Sequence, residues 1–182
     1  GSGPIDSSVF AVADSQGFWV LYYVNNPKGG IDLLARRIVP GAEIGAPQTI
    51  LSSLSLPLNS GSFDLPRLAS IGTTALIAWN ATIEAEAGTY NGVRYALIPS
   101  GTLGATPNAP DGDAWYLYGA SATADAFRIV SESDPSRVRV TSISSTGAIT
   151  ANSPLMDLVD YHTVVPDPAT DGFLARSVPA LP

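Results

Sequence analysis

An all-β domain is the fold this sequence predicts, and three observations predict it. Fifteen prolines and seventeen glycines punctuate the 182 residues, leaving little room for a helix of ordinary length. The stretches between them are short and rich in Val, Ile, Tyr, Phe, Trp and Thr, side chains that suit a pleated, half-buried surface. These stretches also recur along the chain in the same order, which marks an internal repeat.

The elements follow in order. Val9 to Ala13 and Phe18 to Val24 read as strands on either side of a Gly17 turn, and a polar loop, Asn25-Asn-Pro-Lys-Gly-Gly30, leads to Ile31 to Val39. Leu68 to Ile71 and Thr74 to Trp79 flank Gly72, and Gly92 to Ile98 ends at Pro99. Ala75-Leu-Ile-Ala-Trp79 is apolar at consecutive positions, as a strand covered on both faces would be. Ala114 to Tyr118 is aromatic, and Ala126 to Val130 is joined to Arg137 to Ile143 through Ser133-Asp-Pro-Ser136. Leu158 to Val165 and Gly172 to Val178 carry weaker strand patterns.

The repeat groups these strands. In each unit a glycine turn leads to an apolar or aromatic strand, then a variable loop, an Arg-bearing strand and a second Gly turn before a last apolar residue. The units fall near residues 8–57, 62–108 and 112–155, with a partial copy over 158–182. Their last apolar residues, Ile44, Leu103 and Ile149, recur after 59 and then 46 residues, the difference lying mostly in loops. Trp79 and Tyr23 align in this scheme, which suggests that both pack between sheets. Gly1-Ser2-Gly3 reads as a cloning scar, and 4–182 as one all-β domain.

This pattern of Gly-turn, aromatic strand, loop, Arg strand and Gly-turn resembles the repeats of bacterial β-propellers, in which one such unit forms a four-stranded blade. The resemblance covers about three quarters of the chain and implies a propeller-like arrangement of three to four blade-like units. The sequence departs from two better-defined propeller classes. It has no Ser-x-Asp-x-Gly-x-x-Trp box, since Asp111-Gly-Asp-Ala-Trp115 shares its letters in the wrong order, and no Trp-Asp dipeptide. An antiparallel β-sandwich is the alternative, because its hairpins can imitate a repeat.

Composition narrows the function. The net charge is −7 and the only lysine is Lys28, with eight scattered arginines, so the basic stripe a nucleic-acid binder needs is missing. No apolar run approaches the roughly 20 residues of a membrane helix. Charged residues amount to 14% against about 25% in an average domain, so Ser, Thr, Asn, Gly and Pro cover the surface. With no cysteine, disulfides, thiol catalysis and zinc fingers are excluded, and a bacterial or phage protein, or a cytosolic one, fits better than a eukaryotic secreted domain.

Few residues carry catalytic chemistry. His162 is the sole histidine, which rules out a multi-histidine metal centre, and no Gly-x-Ser-x-Gly elbow accompanies it. Glu84 and Glu86 stand at i and i+2, on one face of an extended segment, as two glycosidase acids could; acids in a polar loop usually serve solvation instead. Asp167 and Asp171, with Gly172 following, set hard oxygen ligands beside a glycine and make a candidate Ca²⁺ loop, although Asp-Gly is also an ordinary turn pair. No cofactor besides that calcium is expected.

Aromatics are the stronger binding signal. Trp115, Tyr116, Tyr90, Asn91 and Trp19 form the candidate ligand set, in which rings stack on a sugar and the amide hydrogen-bonds to it. The expectation is a non-catalytic recognition or adhesion module, extracellular or on a cell surface, whose partner is a glycan or a surface protein. A structural or assembly domain of a cell-surface or phage appendage, self-associating through unpaired strands, is the first alternative. A propeller-type glycoside hydrolase is the second.

Overall fold

The computed structural model describes residues 9–27, 31–54, 66–85, 88–98, 103–105, 116–134, 137–157, 161–167 and 173–177. Those residues form strands and turns, with no helix among them, so the chain is all-β. No helix among them is long and apolar enough to cross a membrane.

Three antiparallel meanders follow one another along the chain. The first contains β1 (Val9–Ala13), β2 (Phe18–Asn25), β3 (Ile31–Ile38) and β4 (Gln48–Leu54), paired in that order. The second repeats the plan with β5 (Arg67–Ile71), β6 (Thr74–Ala85), β7 (Gly88–Ile98) and β8 (Leu103–Ala105). The third runs β9 (Leu117–Ala122), β10 (Ala126–Asp134) and β11 (Arg137–Ser144); its outer edge is split into β12 (Ile149–Asn152) and β13 (Met156–Asp157), both paired to β11. A two-stranded sheet, β14 (Tyr161–Pro166) with β15 (Phe173–Ser177), follows. The four sheets span residues 9–54, 67–105, 117–157 and 161–177.

Sequence reasoning missed the fourth strands. Gln48–Leu54, Leu103–Ala105, Ile149–Asn152 and Met156–Asp157 are short or polar edge strands, and all four residues of β12 are exposed. An edge strand has only one paired neighbour, so its pattern is weaker, although Ile50 of β4 packs on the first core. The aromatic strand expected at 114–118 begins instead at Leu117 and runs to Ala122, and 114–115 lie outside the described residues.

The sheets stack face to face in chain order. β5 lies against β1 on one side and β9 on the other, and β14 lies against β9 and β10. Between the first and second sheets Trp19, Leu21, Leu33 and Ala35 pack against Ala75, Ile77, Trp79, Ala96 and Ile98. Between the second and third, Leu76, Ala78, Val93, Tyr95 and Leu97 meet Leu117, Phe127, Ile129 and Ile143. The far side of the third sheet buries Val130, Val138 and Val140. The middle sheet is therefore apolar on both faces, which explains the uninterrupted Ala75–Trp79 run. Among the described residues the sheets form more than two layers, and no closed ring is found.

Register decides which face of each strand meets which neighbour. Each meander opens on a two-residue turn. Asp14 N–H donates to the Gly17 carbonyl at 2.9 Å, Ile71 pairs with Thr74, and Thr123 N–H donates to the Ala126 carbonyl at 2.9 Å. Superimposing these closures makes Phe18, Ala75 and Phe127 equivalent, then Trp19, Leu76 and Arg128, then Val20, Ile77 and Ile129. Trp79 thus corresponds to Tyr22, not to Tyr23 as the sequence alignment has it. The cause is the first turn, where Asp14 and Gly17 form a further pair beyond Ala13 and Phe18. A one-residue slip exchanges the two faces of a strand. With the correct register every sheet turns the same face forward: Ala75 and Ile77 point to the preceding sheet, as do Phe127 and Ile129.

Hydrogen bonds tie the layers near their first strands. Ser15 N–H donates to the Gly72 carbonyl at 2.9 Å, and the Ser70 hydroxyl reaches the Ala13 carbonyl. Leu117 N–H donates to Asn80 Oδ1 at 2.9 Å, Arg67 Nε to the Tyr118 carbonyl at 3.0 Å, and Tyr95 Oη to the Gly147 carbonyl at 2.8 Å. Arg128 Nη1 donates to the Asp167 carbonyl at 3.1 Å, fastening the last hairpin to the third sheet.

Candidate functional site

A cleft opens where the first two sheets meet at their turn ends. Its walls are Trp19 from β2, Ala35 and Arg37 from β3, Gly45 and Ala46 from the β3–β4 connection, Gln48 from the start of β4, and Thr73 from the β5–β6 turn. The cavity measures about 260 Å³ and is open to solvent on one side. That is just below the roughly 300–1,000 Å³ of common ligand pockets, enough for one small ring or side chain.

The β1–β2 turn builds the polar wall. Asp14 Oδ1 accepts from the backbone N–H of Gln16 at 2.7 Å and of Gly17 at 2.8 Å, an Asx turn that leaves Oδ2 free for a second partner. Arg37 Nε donates to that Oδ2 at 2.9 Å, and Arg37 Nη2 to Gln16 Oε1 at 3.2 Å. Opposite Arg37 in the register stands Trp19, and the guanidinium carbon lies 5.8 Å from the indole centroid, within cation–π range. Trp19 Nε1 donates to the Thr73 carbonyl at 3.3 Å, closing the floor onto the second sheet. The cleft thus joins a fixed cation, an indole and an amide side chain in one rim.

The Arg37 guanidinium holds the Asp14 carboxyl below its ordinary value of 3.8, with the two turn N–H groups assisting against the opposing effect of desolvation. Because the native value is depressed, this group's stabilisation is complete above the unfolded carboxylate range. It fades as the pH falls through 3.8 and is gone below the native value. Urea midpoints measured between pH 6 and pH 2.5 should therefore fall more for the wild type than for Asp14→Asn, which lacks the titration. The two curves should converge at the acid end, and parallel curves would contradict the assignment.

The residues expected to bind ligand divide. Trp19 lines the cleft, but at 3% exposure it offers no open stacking face. Tyr116 is 36% exposed just before β9, edge-on to Tyr118 with centroids 5.2 Å apart. Tyr118 Oη donates to Glu132 Oε2 at 3.2 Å, and burial, with the nearby carboxylate assisting, pushes its phenol up to about 12. Tyr90 and Asn91 lie in β7, opposite Ile83 and Thr82, and the fourth aromatic, Trp115, lies outside the described residues. Tyr116 does share an end of the stack with the β6–β7 hairpin, since Leu117 is bonded to Asn80 of β6.

The remaining candidates come to less. Glu84 lies in β6 opposite Thr89, and Glu86 is outside the described residues. His162 falls at the irregularity between Tyr161 and Thr163 in β14. Asp167 contributes its carbonyl to Arg128, while Asp171 is outside the described residues. Among the described residues no three or more His, Cys, Asp or Glu side chains gather as metal ligands would.

Sequence reasoning passed over Arg37, Gln48 and Asp14. A signal existed, since Arg37 sits in the Arg-bearing strand and Asp14 in the first glycine turn. Their conjunction depends on the strand register. No protein-family model matches the chain, and no curated protein matches it in sequence.

Proposed function

We propose that this chain is a non-catalytic recognition or adhesion module, extracellular or on a bacterial or phage surface, that holds a glycan through the Trp19–Arg37 cleft. The observation carrying this reading is the composition of the rim: an indole, a guanidinium fixed by Asp14 and Gln16, and Gln48 around about 260 Å³. Hydroxyl-rich ligands are recognised by such fixed planar donors and acceptors beside an aromatic wall. The same reading takes the three meanders and the last hairpin as propeller-like blades. Support for that comes from the equal facing of successive sheets and the neighbouring first strands β1, β5, β9 and β14.

A glycan-array screen in calcium-containing buffer tests the reading. Specific binding is expected, weakened about tenfold in Gln48→Ala, the value of one lost directional contact of about 1.4 kcal/mol. Tyr116→Ala, at the far end of the stack, should leave that binding intact. Loss in Tyr116→Ala alone would move the site to the aromatic end, and an array at background would sink the glycan reading. The assembly-domain reading has its own support in the uncovered apolar face of the first sheet.

A further inference from the structure

Among the described residues, another sheet covers only one of the two faces of the first sheet. Its rear side packs on the second sheet through Trp19, Leu21, Leu33 and Ala35. The forward side, by strict alternation and register, carries Val9, Ala11, Phe18, Val20, Tyr22 and Leu34. Val9 is 60% exposed and Phe18 37%. The equivalent forward positions of the next two sheets, Ala75 and Ile77, then Phe127 and Ile129, are all fully buried by the layer in front. An apolar face of this breadth on a chain with so polar a surface composition marks an interaction site.

We infer that a second copy of this chain covers that face, stacking its terminal layer on the first sheet of its neighbour. Repetition of one interface identifies the occupant. Twice within the chain a forward face is covered by the rear of a sheet built to the same plan, so the surface that fits the first sheet is another such rear face. The last layer of the stack, the β14–β15 hairpin, has the following position in that series and carries Leu174 57% exposed. Contact of front to rear is heterologous, so it propagates into a closed ring or an open filament instead of stopping at a two-fold dimer. This association is independent of ligand binding in the cleft, which lies on the rear side.

Sedimentation velocity across a concentration series tests it with the intact chain. The wild type should self-associate beyond dimers, and Phe18→Asp should weaken association at least tenfold while its thermal midpoint stays near wild type. Val9→Asp serves as the second front variant should Phe18→Asp fold poorly. Leu174→Asp, at the other end, should weaken association equally. A mixture of Phe18→Asp and Leu174→Asp should form a capped heterodimer, since each retains one intact surface. A wild type that stays monomeric at every concentration overturns the inference, as does association abolished by Phe18→Asp yet untouched by Leu174→Asp, the mark of a front-to-front dimer.

Discussion

Phe127→Ala is expected to destabilise the fold by about 3–5 kcal/mol, the range for emptying a buried aromatic site. Phe127 is fully buried and is the largest such side chain among the described residues. It stands between the second and third sheets among Leu76, Leu97, Ile129 and Ile143. These neighbours belong to two β layers whose backbones are pinned by ladders on both sides, so the cavity cannot collapse cheaply. In a domain this size each kcal/mol moves the thermal midpoint by about 2–4 °C, so a fall of about 10 °C is expected. Ile149→Ala, on the exposed outer edge of the third sheet, is the control and should stay within about 0.5 kcal/mol of wild type. Calorimetry of the two variants decides. A fall no larger than the control's would mean that the seam is loosely packed.

Gly17→Ala should come next, at about 2–4 kcal/mol, through the backbone instead of the core. A Cβ built on Gly17 would lie 2.2 Å from the Ile38 carbonyl oxygen and 3.1 Å from Val39 Cα. Both are main-chain atoms of the neighbouring strand end, so no rotamer relieves the clash and β2 must part from β3. That movement would also disturb the Asx turn, in which Asp14 Oδ1 accepts the Gly17 N–H. The cleft should suffer with it: in Gly17→Ala the ligand affinity and the acid sensitivity attributed to Asp14 should both diminish. Gly45→Ala offers the contrast on the same rim, because its added methyl meets nothing within 4 Å. Urea unfolding of the pair checks this. Equal midpoints would show that the strand end yields more readily than a paired backbone should.

Much of the architecture was legible because its causes are local. Glycine and proline spacing sets the turns, and β-branched and aromatic runs set the inner strands. The unbroken apolar run at Ala75–Trp79 announced a sheet covered on both sides, as Ile77 and Leu76, buried on opposite faces, bear out. The outer strands β4, β8, β12 and β13 were not legible. Their pairing rests on main-chain hydrogen bonds, which any side chain permits.

The candidate site was legible only in pieces. Trp19 drew notice as a ring for stacking, yet its indole is enclosed by the second sheet and by Arg37. Arg37 and Asp14 are 23 positions apart, and only the β2–β3 register and the tight first turn bring them to 2.9 Å.

By itself, the sequence determined that the chain is all-β, that it repeats in units, that the middle unit is buried on both sides, and that no thiol chemistry is available. Tertiary structure alone decided which side of each strand faces forward and which aromatic faces water. It also decided that, among the described residues, one face of the first sheet has no other sheet against it. The reason is parity: strand side chains alternate with period two, so one residue gained or lost at a hairpin turn reverses every contact that follows. Composition is blind to that count, whereas the stacked layers are fixed by it.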